Sequence, residues 1–476
     1  MVKYKSKSVR TVVIICLFVC VCFVTIVANA YNSVDLIEIS ILLTCVLMVL
    51  YCLTDFENRL ILLLFSICIF TFLVAKVMLG YFTGEREWNF ELNNTDIIIA
   101  INILISTFLS LIVGFGIGKK KRIKISVQGI SRLKLFFEDS SYNLVTVKKI
   151  NFIIWIVSLF FVIVFNVQKM MYALANGYIS LYTSYQSSGF ASRFQLIFMA
   201  SLFIGLAVSS SRRMIWAYIT SGLLMSVIIL IQGSRGSFVS FLLFIFYYMY
   251  VNNIKLTKYR GNKQKPIKLI IIGIIAALII LPYMYAYGHT RANQSYEVSA
   301  TMLDGVKNFF FEQSNSFSVI KYAIIYKGKF PQKYYSLGSI INAITHTAYT
   351  GNTVENALKG RRFGNIVTYT ISPTAYLNGF GMGSSYVAEV YYDFGYVGVI
   401  TVNILLGWLL SRHVFLKKNG VLINSMLFFV LYYLFVIPRS PLLYPINNLF
   451  SSSVIVTYVF VFGLAYKRKR TSVLTR

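Results

Sequence analysis

Acidic residues are scarce in this chain: 16 Asp and Glu stand against 45 Lys and Arg in 476 residues, for a formal net charge of +29. Charge of any sign is also sparse, at 13% of residues, while 57% are hydrophobic and the mean hydropathy is +0.69. A chain so apolar is excluded from the soluble basic proteins that bind nucleic acid, and from disordered or collagen-like chains. Histidine is nearly missing. His289, His346 and His413 are scattered over loops, so no Cys/His metal site has workable spacing, and no metal or other cofactor is expected. All six cysteines (Cys16, Cys20, Cys22, Cys45, Cys52 and Cys68) fall in the first three apolar runs, where they read as small packing residues, not as a disulfide framework. No GxxxxGK phosphate loop occurs, which argues against an ATP-driven pump, and there is no nucleic-acid-binding motif, internal repeat or low-complexity segment.

What the chain has instead is apolar runs long enough to cross a bilayer, which takes about 20 residues of helix. Twelve are read, at Thr11–Asn29, Val34–Leu53, Leu60–Leu79, Asp96–Gly118, Ile150–Gln168, Leu196–Ser211, Met214–Gln232, Ser237–Val251, Leu269–Tyr287, Gly395–Ser411, Val421–Ile437 and Leu449–Tyr466. The expectation is an all-α integral membrane protein of about 12 transmembrane helices. Residues 1–287 would carry nine of them, 288–394 a large external loop domain, and 395–476 the last three with a basic tail. Ten spans, with Ser237–Val251 and one neighbour re-entrant, is the alternative.

The excess of positive charge orients this arrangement. With the N-terminus inside, the cytoplasmic segments collect Lys3 to Arg10, Arg59, Lys119 to Lys124, Arg132, Lys134, Lys148, Lys149, Arg212, Arg213, the Lys255–Lys268 cluster, Arg412, Lys417, Lys418 and Lys467–Arg470. The short external loops keep only Arg86, Lys169, Arg193, Arg235 and Arg439. That asymmetry predicts an even number of spans and both termini in the cytoplasm. Ala28-Asn29-Ala30 leaves a signal-peptidase site open, although the preceding run is longer than an ordinary signal-peptide core of about 7–15 residues.

The stretch 288–394 breaks the local bias, carrying Arg291, Lys307, Lys321, Lys327, Lys329, Lys333, Lys359, Arg361 and Arg362 against Glu297, Asp304, Glu312, Glu355, Glu389 and Asp393. Long loops translocate whatever their charge. Its apolar patches, Phe309–Phe311 and Val319–Tyr326, suit helices lying on a membrane surface. A second external loop offers Tyr172, Tyr178, Tyr182 and Tyr185, flat faces with a hydroxyl handle that suit either sugar rings or the interfacial aromatic belt.

Three clusters stand out as chemistry. Gly233-Ser234-Arg235-Gly236-Ser237 holds a cation in a tight external turn, placed either to grip an anion or to snorkel. The run Gly379–Gly398 leads a Gly/Ser-rich loop into a helix entering the membrane from outside, with Glu389 and Asp393 four residues apart on one face. Carboxylates at a membrane mouth have a job or a partner. Pro438-Arg439-Ser440-Pro441 presents the lone cation of the last external loop.

The Gly-Ser-Arg-Gly turn at 233–236, the Ser-Ser-x-x-x-Glu-x-x-x-x-Phe-Gly-x-x-Gly run from Ser384 to Gly398, and the large external loop before the last spans together make the sequence resemble the Wzy-type oligosaccharide repeat-unit polymerases. The resemblance implies a GT-C-like architecture in the bacterial inner membrane. It implies transfer of a growing glycan from undecaprenyl pyrophosphate to an incoming lipid-linked unit at the outer face, with a chain-length regulator as a candidate partner. Pyrophosphate departs well once its charge is neutralised, which arginines accomplish without a metal. Arg235 and Arg439, with Arg291, Arg361 or Arg362, are the expected anion ligands. Glu389 is the expected group that activates or orients the acceptor, unless it is a structural carboxylate paired with a loop arginine. Asp393 is a lesser candidate, and His346 is either a second base or a surface histidine. Two other readings remain open: a flippase for the same lipid-linked units, and an O-antigen ligase.

Overall fold

The computed structural model describes residues 2–84, 86, 92–120, 139–177, 180–183, 185, 189–232, 235–259, 302–347, 349, 351–413 and 420–467. Among them every regular element is helical, and the one β contact is an isolated bridge between Tyr142 and Tyr466. Eight helices are long and apolar enough to cross a membrane: Val12–Ala30, Val34–Leu53, Phe56–Thr83, Asn94–Gly118, Leu144–Asn176, Gly189–Val208, Arg212–Ile231 and Tyr386–Arg412. They take up the first seven expected spans and the tenth. The eighth, eleventh and twelfth fall in shorter apolar helices, Gly236–Val251, Val421–Leu434 and Ser452–Leu464, and the ninth, Leu269–Tyr287, lies outside the described residues. The chain is thus a multi-pass membrane protein, all-helical among the described residues.

Local chemistry sets the helix starts. Ser33 and Asn143 accept hydrogen bonds from the first free amides of the Val34–Leu53 and Leu144–Asn176 helices, and Thr353 does the same for Val354–Lys359. Large apolar side chains such as Phe23, Ile153, Phe160, Leu174, Val397 and Val456 point outward. Lipid, unlike water, exacts no cost for that, provided every backbone group is bonded within the helix.

The axis of the fold is the long Tyr386–His413 helix lying along Asn94–Lys120. The two backbones approach so closely that an added Cβ on Gly114 would fall on the Ile404 carbonyl, one on Gly407 on the Leu111 carbonyl, and one on Gly118 on the Ser411 hydroxyl. Lipid tails supply no hydrophobic drive for helices to associate, so contact at this range, permitted only by glycine, supplies the dispersion that holds them. Around this pair, Leu144–Asn176 packs on Gly189–Val208, which in turn meets Val421–Leu434 and Ser452–Leu464. Buried amides pin the second group: Asn151 donates to the Ser201 carbonyl at 3.0 Å, and Gln232 to the Asn166 carbonyl at 2.8 Å.

Charge at the start of the Val34–Leu53 span is paired. Glu38, fully buried, accepts from Arg86 at 2.6 Å, and Asp35 is a second partner of the same guanidinium. This pairing is what an ionised group near a helix end requires.

Residues 302–377 form a cap of short helices: Met302–Gln313, Ser316–Ile325, Gly338–Ile344, Val354–Lys359, Phe363–Ile371 and Pro373–Leu377. The apolar patches expected to lie on a membrane surface instead pack against protein. Met302–Gln313 sits on Ala75–Thr83, while Ser316–Ile325 sits on Asn94–Lys120 and Tyr386–His413, with Phe309, Val319 and Ile320 buried. The long helix also begins nine residues before Gly395, where the tenth span was expected to start, and Gly395 itself takes a left-handed, non-helical conformation (φ 62°, ψ −152°) inside it. Glu389 and Asp393 therefore belong to a short helical segment that leads into the membrane helix across a kink at Gly395.

Because the Gly407–Leu111 approach leaves no room for a side chain, Gly407→Val is expected to cost about 1–3 kcal/mol through helix separation. Detergent-solubilised protein should show a thermal midpoint several degrees lower, and an unchanged midpoint would contradict this packing.

Candidate functional site

The Gly379–Ser385 loop is shaped from both sides. Gly379 and Gly383 hold φ at 89° and 79°, a region open to glycine at no steric cost. Gly364, in the Phe363–Ile371 helix, lies so close that an added Cβ would meet the Gly383 carbonyl. The Met382 amide donates to the Thr368 hydroxyl at 3.1 Å, and Asn352 donates to the carbonyls of Tyr376 at 2.8 Å and Phe380 at 3.2 Å. The cap thus fixes the loop backbone before the long helix begins at Tyr386.

Glu389 stands in the first turn of that helix, where the helix dipole favours a carboxylate, and is 1% exposed. Its Oε1 accepts from the Ser384 hydroxyl at 2.7 Å and its Oε2 from the Leu442 amide at 3.0 Å. Leu442 follows directly on the Pro438–Pro441 turn, so one carboxylate joins the second and third sequence clusters. Arg439 lies at the end of a short 3-10 turn, Ile437–Arg439, with its carbonyl 3.7 Å from where a Cβ on Gly383 would stand. Its guanidinium donates to Gln313 Oε1 at 2.9 Å and has its central carbon 5.5 Å from the Phe72 ring centre. Loop, carboxylate and the backbone of the Arg439 turn thus come together as one patch from segments far apart in sequence, while the Arg439 guanidinium points to Gln313 and Phe72.

Asp393 does different work. Its Oδ1 accepts from the Tyr335 amide at 3.1 Å, and its Oδ2 accepts from the Ser336 amide at 2.7 Å and the Ser336 hydroxyl at 2.6 Å. It is an anchor that fastens residues 335–336 of the cap to the long helix one turn after Glu389. The two carboxylates share no ligand, and each has its charge dispersed over its own donors, which offsets the cost expected of like charges four apart. Burial raises the neighbouring Tyr335 phenol above its ordinary pKa, with the Gln332 amide that donates to it pulling the other way, so this hydroxyl stays protonated.

The other expected site residues are dispersed. The backbone of Arg361, at φ 49°, packs against Gly338, and Arg362 is exposed at the start of the Phe363–Ile371 helix. His346 is exposed, in a left-handed conformation (φ 51°) on the turn after Gly338–Ile344, and is not among the groups that hold Glu389. The side chains of Arg235 and Tyr182, and the whole of Arg291 and Tyr178, lie outside the described residues. Among the described residues no three His, Cys, Asp or Glu side chains converge as a metal site would need. Three members of the patch carried no sequence signal: the Leu442 amide and Gln313, both neutral and far away in the chain, and Phe72.

A family model described as O-antigen polysaccharide polymerase Wzy matches residues 11–469, nearly the whole chain. Neither curated proteins nor solved structures yield a match.

The anchoring geometry carries its own prediction. Asp393→Ala removes three hydrogen bonds to a charged acceptor and should destabilise the protein by about 1–3 kcal/mol, with Asp393→Asn milder. Limited proteolysis should then cut near residues 330–340 faster than in the wild type, and equal cutting rates would contradict an anchoring role.

Proposed function

The chain belongs to the O-antigen polysaccharide polymerase Wzy family, and on that premise we propose the chemistry of its patch. Membership makes it a polymerase of O-antigen repeat units, a membrane enzyme of the glycosyltransferase kind that acts on lipid-linked oligosaccharides. In our reading it works at the outer face of the cytoplasmic membrane, with both termini inside, twelve spans in a GT-C-like arrangement, no metal ion and a chain-length regulator as partner. The donor is a growing glycan on undecaprenyl pyrophosphate. The acceptor is the terminal sugar of an incoming lipid-linked unit.

In this reaction the acceptor oxygen attacks the donor's anomeric carbon. A glycosidic bond forms as the bond from that carbon to pyrophosphate breaks, and the electron pair leaves with undecaprenyl pyrophosphate. The leaving group needs its charge matched more than it needs a proton, and a planar guanidinium matches phosphate oxygens in pairs. We assign that task to Arg439, with Arg235, Arg291, Arg361 and Arg362 as further cations and Tyr178 and Tyr182 as glycan-facing rings.

The acceptor proton goes to Glu389. Because both oxygens of this carboxylate are already engaged, the route runs through Ser384: its hydroxyl oxygen takes the acceptor proton as its own proton passes to Glu389 Oε1, 2.7 Å away. The same carboxylate keeps the Gly-rich loop and the Arg439 turn in register. The observation that carries the assignment is this bridge, in which Glu389 binds Ser384 on one segment and the Leu442 amide, three residues from Arg439, on another.

We assign the polyprenyl tail to the apolar surface between helices, where a cavity of about 380 Å³ is lined by Val46, Val49, Ile67, Phe70 and Phe108. The flippase reading is less well supported, because Glu38 and Lys76 sit near the ends of their helices, whereas transporters place charge at the midplane.

Expressed in a strain without its own polymerase, Glu389→Gln should reduce the long-chain surface polysaccharide at least tenfold and leave single repeat units on the lipid core, as expected for loss of a general base. Arg439→Ala should do the same and Arg439→Lys less. A full ladder from Glu389→Gln at normal protein level would sink the assignment.

A further inference from the structure

The cap segment Tyr335–Ile344, a 3-10 turn running into a short helix, has its polarity reversed with respect to a helix that faces water. Tyr335, Gly338 and Asn342, at helical spacing, look into the cap. Tyr335 is buried, a Cβ on Gly338 would strike the Arg361 carbonyl, and Asn342 donates to the Gly360 carbonyl at 2.8 Å. Leu337, Ile340 and Ile344, at the same spacing on the other side, are all exposed, Ile344 at 72%. A surface helix in water turns its apolar stripe to the core and its polar face outward. Here the amide points in and three aliphatic side chains point out.

What lies opposite that face follows from where the segment is attached. Asp393 accepts from the Tyr335 and Ser336 amides, which pins the first turn two residues before the kink at Gly395. The exposed Tyr334 has its ring centre 6.0 Å from that of Phe394, also exposed. Val397, three residues on, is 76% exposed on the helix that crosses the membrane. Through Tyr334 and Phe394 the outward face of the cap thus joins a surface that faces lipid. Exposed lysines at 329 and 333 stand just before the segment, as cations do beside anionic headgroups. A helix of this length rises about 15 Å, half of what a bilayer core requires, so it can lie in the interface but cannot cross.

We infer that Tyr335–Ile344 lies in the surface of the bilayer on the cap's side, with Leu337, Ile340 and Ile344 among the acyl chains and Lys329 and Lys333 at the lipid phosphates. The occupant of this face is lipid, not a second copy of the chain. The placement is independent of the roles given to Glu389 and Arg439. Its consequence for them is positional: the cap that shapes the Gly379–Ser385 loop is held at headgroup level, where a lipid-linked substrate carries its phosphates.

The test places the photo-crosslinker p-benzoylphenylalanine at position 340 or 344 of the full chain, in nanodiscs of equal parts phosphatidylethanolamine and phosphatidylglycerol. Phospholipid adducts are counted by mass spectrometry. Position 397 is the lipid-facing reference, and position 355, an exposed glutamate on another cap helix, the water-facing one. Lipid adducts at 340 and 344 should come within about threefold of those at 397 and exceed those at 355 by at least about fivefold. Should the variant at 340 not fold, the more exposed position 344 decides. Phosphatidylglycerol should outnumber phosphatidylethanolamine among the adducts by about threefold, and Lys329→Gln with Lys333→Gln should bring that ratio toward one. Equal shares of the two lipids in the otherwise unaltered chain overturn the lysine contacts. Adduct yields at 340 and 344 no higher than at 355 overturn the inference, as do adducts that join two copies of the chain or tie the segment to another part of its own chain.

Discussion

Glu389 has almost no contact with water, and its two carboxylate oxygens accept hydrogen bonds from groups that belong to different parts of the chain. A carboxylate taken out of water must recover its solvation from nearby donors, or it would cost several kcal/mol to bury. That requirement draws Ser384 and the Leu442 amide to the same point. With them come the Gly-rich loop and the turn bearing Arg439. The rest of the site follows from this closure: the guanidinium can reach Gln313 and the Phe72 face only because its turn is held against the loop.

The bundle beneath makes that closure rigid. Glycines at 114, 118 and 407 let the Asn94–Lys120 helix and the part of Tyr386–His413 beyond Gly395 touch closely, which fixes the membrane helix onto which the Glu389 segment is joined. The cap adds a second constraint through Asp393, which fastens Tyr335 and Ser336 just before the break at Gly395. Two carboxylates one turn apart thus divide the labour, one joining loops at the patch and the other joining the cap to the span.

Charge is spread over the molecule by two rules. Most cations fall in the loops and tails between apolar runs, where a charge bias is an expectation about orientation and carries no information about substrate. The few that break the bias are drawn into specific contacts: Arg86 with Asp35 and Glu38, Lys76 with Asn315, Arg439 with Gln313. A +29 chain looks like a polyanion binder only when the address of each charge is ignored.

By itself, the sequence determined the class of the molecule, its helical spans and the loops worth watching. Span length and charge bias act locally, so Val34–Leu53 or Arg212–Ile231 could be read to within a few residues. Glu389 and Arg439 stood out in the sequence as charges at a membrane mouth, with a structural pairing as the plain alternative for Glu389. Tertiary structure alone decided which of these charges meet. It separated Asp393, whose partners are two backbone amides and the Ser336 hydroxyl, and His346, exposed on a cap turn, from the patch. It also brought in Gln313, Phe72 and the Leu442 amide. Those contacts join residues as far apart in the chain as Gln313 and Arg439. The physical reason is that a backbone amide or a neutral side chain carries no signature until packing sets it opposite a charge.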